Sequence, residues 1–220
     1  MVLNKTEMNN RLIKEWMKKY TSLEQGQIDM LLDLKMKIKE NLSFLYDMNK
    51  IIVQGQGNIV ESSIGAEFIC NNGMCRLQTD YGSLVLDNVL FRKILAAFID
   101  VYEDIYPLGT VVDLNKKYYK DILPVDEVEH IRVVINYRFI PCSENMYIPY
   151  MGNIYPIGNS GLNANGIHFT PKTIERVVHM GYIDEEEIAF LFQRKYEMLI
   201  ENNMHSTGFA TSEEMTLIDA

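Results

Sequence analysis

Ala66-Glu67-Phe68-Ile69-Cys70-Asn71-Asn72-Gly73-Met74-Cys75-Arg76-Leu77-Gln78 turns on its centre. Asn72-Gly73 supplies the two positive φ angles of a type I′ turn, and the alternating runs on either side read as its strands. This is the firmest hairpin signal in the chain, and it places β-structure between helical patterns. Cys70 and Cys75 flank the turn. Their spacing fits either a bridge or a cross-strand pair of free thiols. The cysteines are odd in number, with Cys142 the third, and no C-x-x-C pair occurs. Free buried thiols in a reducing cytoplasm suit that usage better than a disulfide framework.

Upstream, Leu12, Ile13, Trp16, Met17 and Tyr20 fall at three- and four-residue steps, predicting a helix over 6–20. Ser22 and Gln25 have capping-box spacing for a second helix. Its stripe (Ile28, Leu31, Leu32, Ile38, Leu42, Leu45, Tyr46) predicts one continuous element to Met48, paired with the first as an antiparallel hairpin. Ile51-Ile52-Val53 before Gly55 and Gly57 reads as a strand and turn. Downstream of the β-hairpin, Asp87 can cap a third helix with the face Leu90, Phe91, Ile94, Leu95, Phe98, Val101, Tyr102 and Ile105; Pro107 and Gly109 end it.

Beyond Tyr106-Pro107 the pattern becomes β-rich. Residues 109–114, 130–140, 146–155 and 167–169 read as strands, and 115–129 as a loop or short irregular helix. Thr170-Pro171 predicts a short helix closed by Gly181. Asp184 with Glu185, Glu186 and Glu187 opens a last helix, since four carboxylates suit its N-terminal dipole; Ile188, Leu191, Phe192, Tyr196 and Leu199 form its face. The fold class is therefore α+β. An N-terminal region over 1–105 holds a helical hairpin, a β-hairpin and a third helix. A domain over 106–200 holds a mainly antiparallel sheet or small barrel with two C-terminal helices, and 201–220 is expected to be a flexible tail.

Thirty acidic against twenty-one basic residues give a net charge of −9. Nucleic-acid and anionic-membrane binding both draw on Lys and Arg, so neither partner is expected. The opening residues lack the apolar core of a signal peptide, and no apolar run approaches the ~18 residues of a membrane span, so the chain is expected in the cytoplasm.

Catalytic signatures are missing. His130, His168, His179 and His205 stand apart, without H-E-x-x-H or metal-ligand spacing. No G-x-S-x-G elbow occurs, and Gly55-Gln56-Gly57 lacks the third glycine of a dinucleotide fingerprint and the lysine of a phosphate loop. No catalytic, cofactor-binding or metal-binding residue is assigned, and no cofactor is expected. What stands out is apolar surplus. Met30, Phe44 and Met48 lie well off the main stripe of the second helix. Tyr147, Tyr150 and Tyr155 crowd one strand, on both of its faces. Such residues are either buried between two layers or form a recognition surface, for which Met and Tyr are well suited. These six are the candidate partner-binding residues.

Several pieces of the second half occur in a familiar order. They are Pro107-Leu108-Gly109-Thr110-Val111-Val112, the β-run from Ile131 to Tyr137, Gly152-Asn153-Ile154-Tyr155-Pro156-Ile157-Gly158, Ile167-His168-Phe169, and the run from Ile174 through Gly181-Tyr182-Ile183-Asp184 to Glu187. Over about 106–200 the chain resembles the DUF4176 family, whose genes occur in Gram-positive type VII secretion loci beside LXG toxins. The stretch 115–129 is longer than in the family's short members, and the first 105 residues lie outside the resemblance. The resemblance implies a cytoplasmic accessory factor that binds an LXG toxin, through the toxin's helical N-terminal region, as export chaperone or adaptor, with small helical WXG-like secretion proteins as further partners. An immunity protein and an enzyme with an unrecognised site are the alternatives. No catalytic residue carries over; the shared glycines and prolines read as turns and element boundaries.

Overall fold

The computed structural model describes residues 4–38, 42–120, 128–158 and 166–210, without the side chains of 35–38. The chain forms two compact units, Met1–Glu103 with Lys195–His205, and Asp104–Arg194 with Ser206–Ala220. The division at Glu103 lies two residues before the boundary expected from sequence. The return of 195–205 to the first unit has no counterpart in the sequence reading.

In the first unit, α1 (Lys5–Tyr20) starts where the Asn4 side chain accepts the Thr6 N–H at 3.0 Å, and buries Leu12, Ile13, Trp16 and Met17. The single helix expected over 22–48 is two, α2 (Gln25–Ile38) and α3 (Leu42–Gln54); residues 39–41 lie outside the described residues. The strand expected at Ile51-Ile52-Val53 is the last turn of α3. Phe44, Leu45, Met48 and Ile52 continue one buried helical face, and that burial outweighs the β-propensity of the isoleucines and valine. Gly55, at φ +80°, ends the helix and donates its N–H to the Ile52 carbonyl.

The expected β-hairpin is the centre of a four-stranded antiparallel meander: β1 (Gly57–Glu61), β2 (Ala66–Asn71), β3 (Met74–Thr79) and β4 (Gly82–Asp87). Asn72 and Gly73 take the positive φ angles, 49° and 76°, that the turn requires. Ala66, Phe68, Cys70, Cys75, Leu77 and Leu84 bury one face, while the alternate residues of β3 are exposed. The Asp87 carboxylate accepts the Leu90 N–H at 2.9 Å and starts α4 (Asn88–Tyr102), whose residues from Ile94 to Tyr102 are all buried. The returning segment is held by polar contacts. The Lys195 ammonium donates to the Val101 and Glu103 carbonyls at the end of α4, at 2.8 and 3.0 Å. Lys19 and Tyr20 both donate to the Ile200 carbonyl, and His205 Nδ1 lies 3.0 Å from the buried Asp100 carboxylate.

The second unit is built on β5 (Val111–Leu114), β6 (Ile131–Pro141), β7 (Met146–Ile154), β8 (Ile167–Phe169) and β9 (Ile174–His179). The sheet runs β7-β6-β5-β9, with β8 also on β7, and every pairing is antiparallel. It stays open among the described residues; the small barrel is not formed. The short helix expected from Pro171 to Gly181 is a single 3-10 turn, Pro171–Thr173, followed by β9. The Thr-Pro start does make a helical turn. Thereafter Ile174 and Val177 pair with Leu114 and Val112 and pack on the core, which a helix would not allow. The last helix, expected from Asp184 through Leu199, forms as α5 (Glu185–Lys195), and a π-helical turn, Tyr196–Glu201, continues it. Of the expected tail, 211–220 lies outside the described residues, but Met204, Ser206, Thr207 and Phe209 are buried.

Val112, Leu114, Ile131, Val133, Ile135, Tyr150 and Phe169 form this unit's core. Gly152 is obligatory there, because a Cβ would lie 2.2 Å from the Val134 carbonyl oxygen. The Tyr150 hydroxyl accepts the Tyr106 N–H at 2.8 Å inside this core. Replacing Tyr150 with Phe strands that N–H and is expected to cost about 1–3 kcal/mol, read as a lower urea midpoint with an unchanged m-value.

Candidate partner-binding surface

Five of the six residues singled out from sequence have no surface to offer. Met30 lies over Gly82, with its sulfur 3.6 Å from where a Cβ would be; Phe44 and Met48 belong to the buried face of α3. Tyr147 packs against Phe139 with ring centres 5.7 Å apart, and Tyr150 stacks on Phe169 at 5.1 Å. All five are buried. Only Tyr155 is exposed, at 53%, with its N–H donated to the Arg132 carbonyl. The apolar surplus was filling two cores.

Exposed apolar surface lies elsewhere, at the end of β9. Val178, Met180, Tyr182 and Ile183 are all exposed, four large apolar residues within six positions, with Tyr182 at 80%. Isolated exposed hydrophobics are ordinary; a run of them is a docking signal. Leu108 joins the run from another part of the chain. The Thr110 hydroxyl donates to the Pro107 carbonyl at 2.8 Å and accepts the Gly181 N–H at 3.0 Å, fixing turn 107–110 against Gly181. The fit is close: a Cβ at Gly181 would lie 2.3 Å from the Leu108 carbonyl oxygen. Any side chain there would push the two exposed segments apart.

Carboxylates border this patch. Asp184 accepts the Glu187 N–H at 2.8 Å as the cap of α5, while Glu185 and Glu186 face solvent. Glu187 turns inward and pairs bidentately with Arg138, whose side chain is only 5% exposed; the Nη2–Oε2 contact is 3.1 Å. The same guanidinium lies 5.3 Å from the Phe190 ring centre and donates to the Tyr106 carbonyl. So the start of α5 is anchored while its outer carboxylates are exposed.

On the sheet face opposite the core, Asp113 stands between Arg132 and Arg176 across three strands. Arg132 donates through Nε and Nη2 at 2.8 and 3.1 Å, and Arg176 through Nε at 2.8 Å. The hydrogen bond from Arg132 above all, then Arg176, holds the Asp113 carboxyl below its ordinary range against the opposing effect of burial. This ladder keeps β9 on β5, and thus positions the exposed run that follows. Among the described residues, no group of three His, Cys, Asp or Glu side chains is placed to hold a metal ion, and no helix is long and apolar enough to cross a membrane.

Residues 105–190 match DUF4176, a domain of unknown function. The DUF4176 segment covers β5 to β9 and the first turns of α5, so it contains Leu108, the run 178–183 and its acidic border. No curated protein and no solved structure matches the chain. The expectation of a helix over 171–181 hides the exposed run, which lies on β9 and just beyond it. The usable signal was Tyr182-Ile183, two large apolar residues between an element's end and an acidic cap.

Removing Glu187 with Ala strands the buried Arg138 charge and is expected to cost about 3 kcal/mol in urea unfolding; the Arg138→Met, Glu187→Leu double variant is expected to cost less than the single one. Because the Asp113 carboxyl is lowered in the folded state, its contribution is complete above its unfolded value of about 3.9 and is lost as pH falls through the lower folded value. Asp113→Asn is therefore expected to be less stable than wild type at pH 7 and to show a shallower loss below about pH 4, measured by urea midpoints across that range.

Proposed function

We propose that this protein is a cytoplasmic export chaperone or targeting adaptor, binding the helical N-terminal region of an LXG toxin destined for type VII secretion. The observation that carries the reading is the run Val178, Met180, Tyr182 and Ile183 beside Leu108, exposed on a rigid support and bordered by Glu185 and Glu186. The choice of pathway rests on the resemblance of the DUF4176 segment to proteins of LXG loci, and is part of the proposal. An amphipathic helix with an apolar stripe and flanking basic residues fits such a surface: apolar side chains cover the run and cations face the carboxylates. Small helical WXG-like proteins offer the same kind of face and are the further partners proposed.

Co-expression with the LXG toxin of the same locus, split into N- and C-terminal fragments, tests this. Co-purification with the N-terminal fragment supports it; capture of the C-terminal toxic domain alone would point to immunity instead. Tyr182→Ser with Ile183→Asp is expected to weaken toxin binding by at least about 30-fold, as loss of a hot spot does, while changing the unfolding free energy by no more than about 0.5 kcal/mol.

A further inference from the structure

We infer that Cys70 and Cys75 form a dithiol–disulfide couple, oxidised by small disulfides such as oxidised glutathione while the first unit stays folded. In a two-residue hairpin the pair closing the turn, here Asn71 and Met74, exchanges hydrogen bonds, so Cys70 opposite Cys75 is the next pair, of the closely spaced kind. That spacing lies within the Cα separation a disulfide needs. The two Sγ atoms are 2.7 Å apart, both on the buried face. Cys70, unlike Cys75, lines an open depression between β1 and β2 together with Gln56, Gly57, Asn58, Ile69 and Asn71, although both thiols are buried. Cys75 is fully buried, and burial above all pushes its thiol upward.

Cys70, the one of the pair that borders the depression, acts first. Cys70 loses its proton and its sulfur attacks one sulfur of the small disulfide, releasing one thiolate and leaving a mixed disulfide. Cys75 loses its proton and attacks the Cys70 sulfur, releasing the second thiolate. Two protein thiols are oxidised to one disulfide and the small disulfide is reduced to two thiols.

The test uses the full chain with Cys142→Ser, which removes the third thiol, incubated folded with oxidised glutathione, then denatured and alkylated. The expected result is loss of both alkylatable thiols, a mass lower by two hydrogens, and a higher Tm that a reductant reverses. Cys75→Ser in the same background is expected to hold one glutathione on Cys70. If that variant does not fold, the closure equilibrium against glutathione is compared in native buffer and in urea, with at least about a tenfold advantage expected for the native chain. Two thiols still alkylatable after oxidation, or no native advantage, would overturn the inference.

Discussion

The antiparallel seating of β9 on β5 is the constraint on which the second unit's outer surface depends. Ile174 and Val177 complete the core on one side of the sheet, and Arg176 reaches Asp113 on the other. With both faces engaged, the chain leaves β9 at one place only. Thr110 and the bare backbone of Gly181 then fix its direction. Tyr182 and Ile183 are exposed because everything around them is held, and a rigid apolar surface loses little conformational entropy when a partner covers it.

The first unit solves a different problem, that of a helix with almost no solvent face. From Ile94 to Tyr102 every residue of α4 is buried, Asp100 included. Its end leaves carbonyls that need donors, and Lys195 supplies them from nearly a hundred residues away. His205 beside Asp100 answers the same need for a buried carboxylate. The segment 195–205 is thus the polar complement of α4, which explains why the chain returns to this unit.

Local chemistry was legible in the sequence. The Asn72-Gly73 turn, the Asp87 cap, the stripe of α1 and the β-run ending at Ile140 all follow from rules that act within a few residues. What was not legible depends on distant partners. Ile51-Ile52-Val53 has strand-like composition and helical surroundings, and only the buried face it shares with Phe44 and Met48 decides. Ile174 to His179 follows a helix-starting dipeptide, and only the vacant edge of β5 makes it a strand. The candidate site failed for a related reason: Met and Tyr in excess do not reveal whether they face another layer of the same chain or a second molecule. Met30, Phe44, Met48, Tyr147 and Tyr150 face their own chain, while Tyr182, in a two-residue gap without periodicity, does not.

The register of β9 against β5 slips twice, between Val111 and Val112 and again between Asp113 and Leu114. Among the described residues no strand lies beyond β9, and each slip leaves that outer margin uneven, without the regular ladder another strand would need. Fibril-like stacking of copies along this margin is thereby discouraged, even with greasy residues close by. For the helical partner proposed above, selectivity at this end of the molecule would then rest on the shape and charge of side chains, with an added strand disfavoured as a rival.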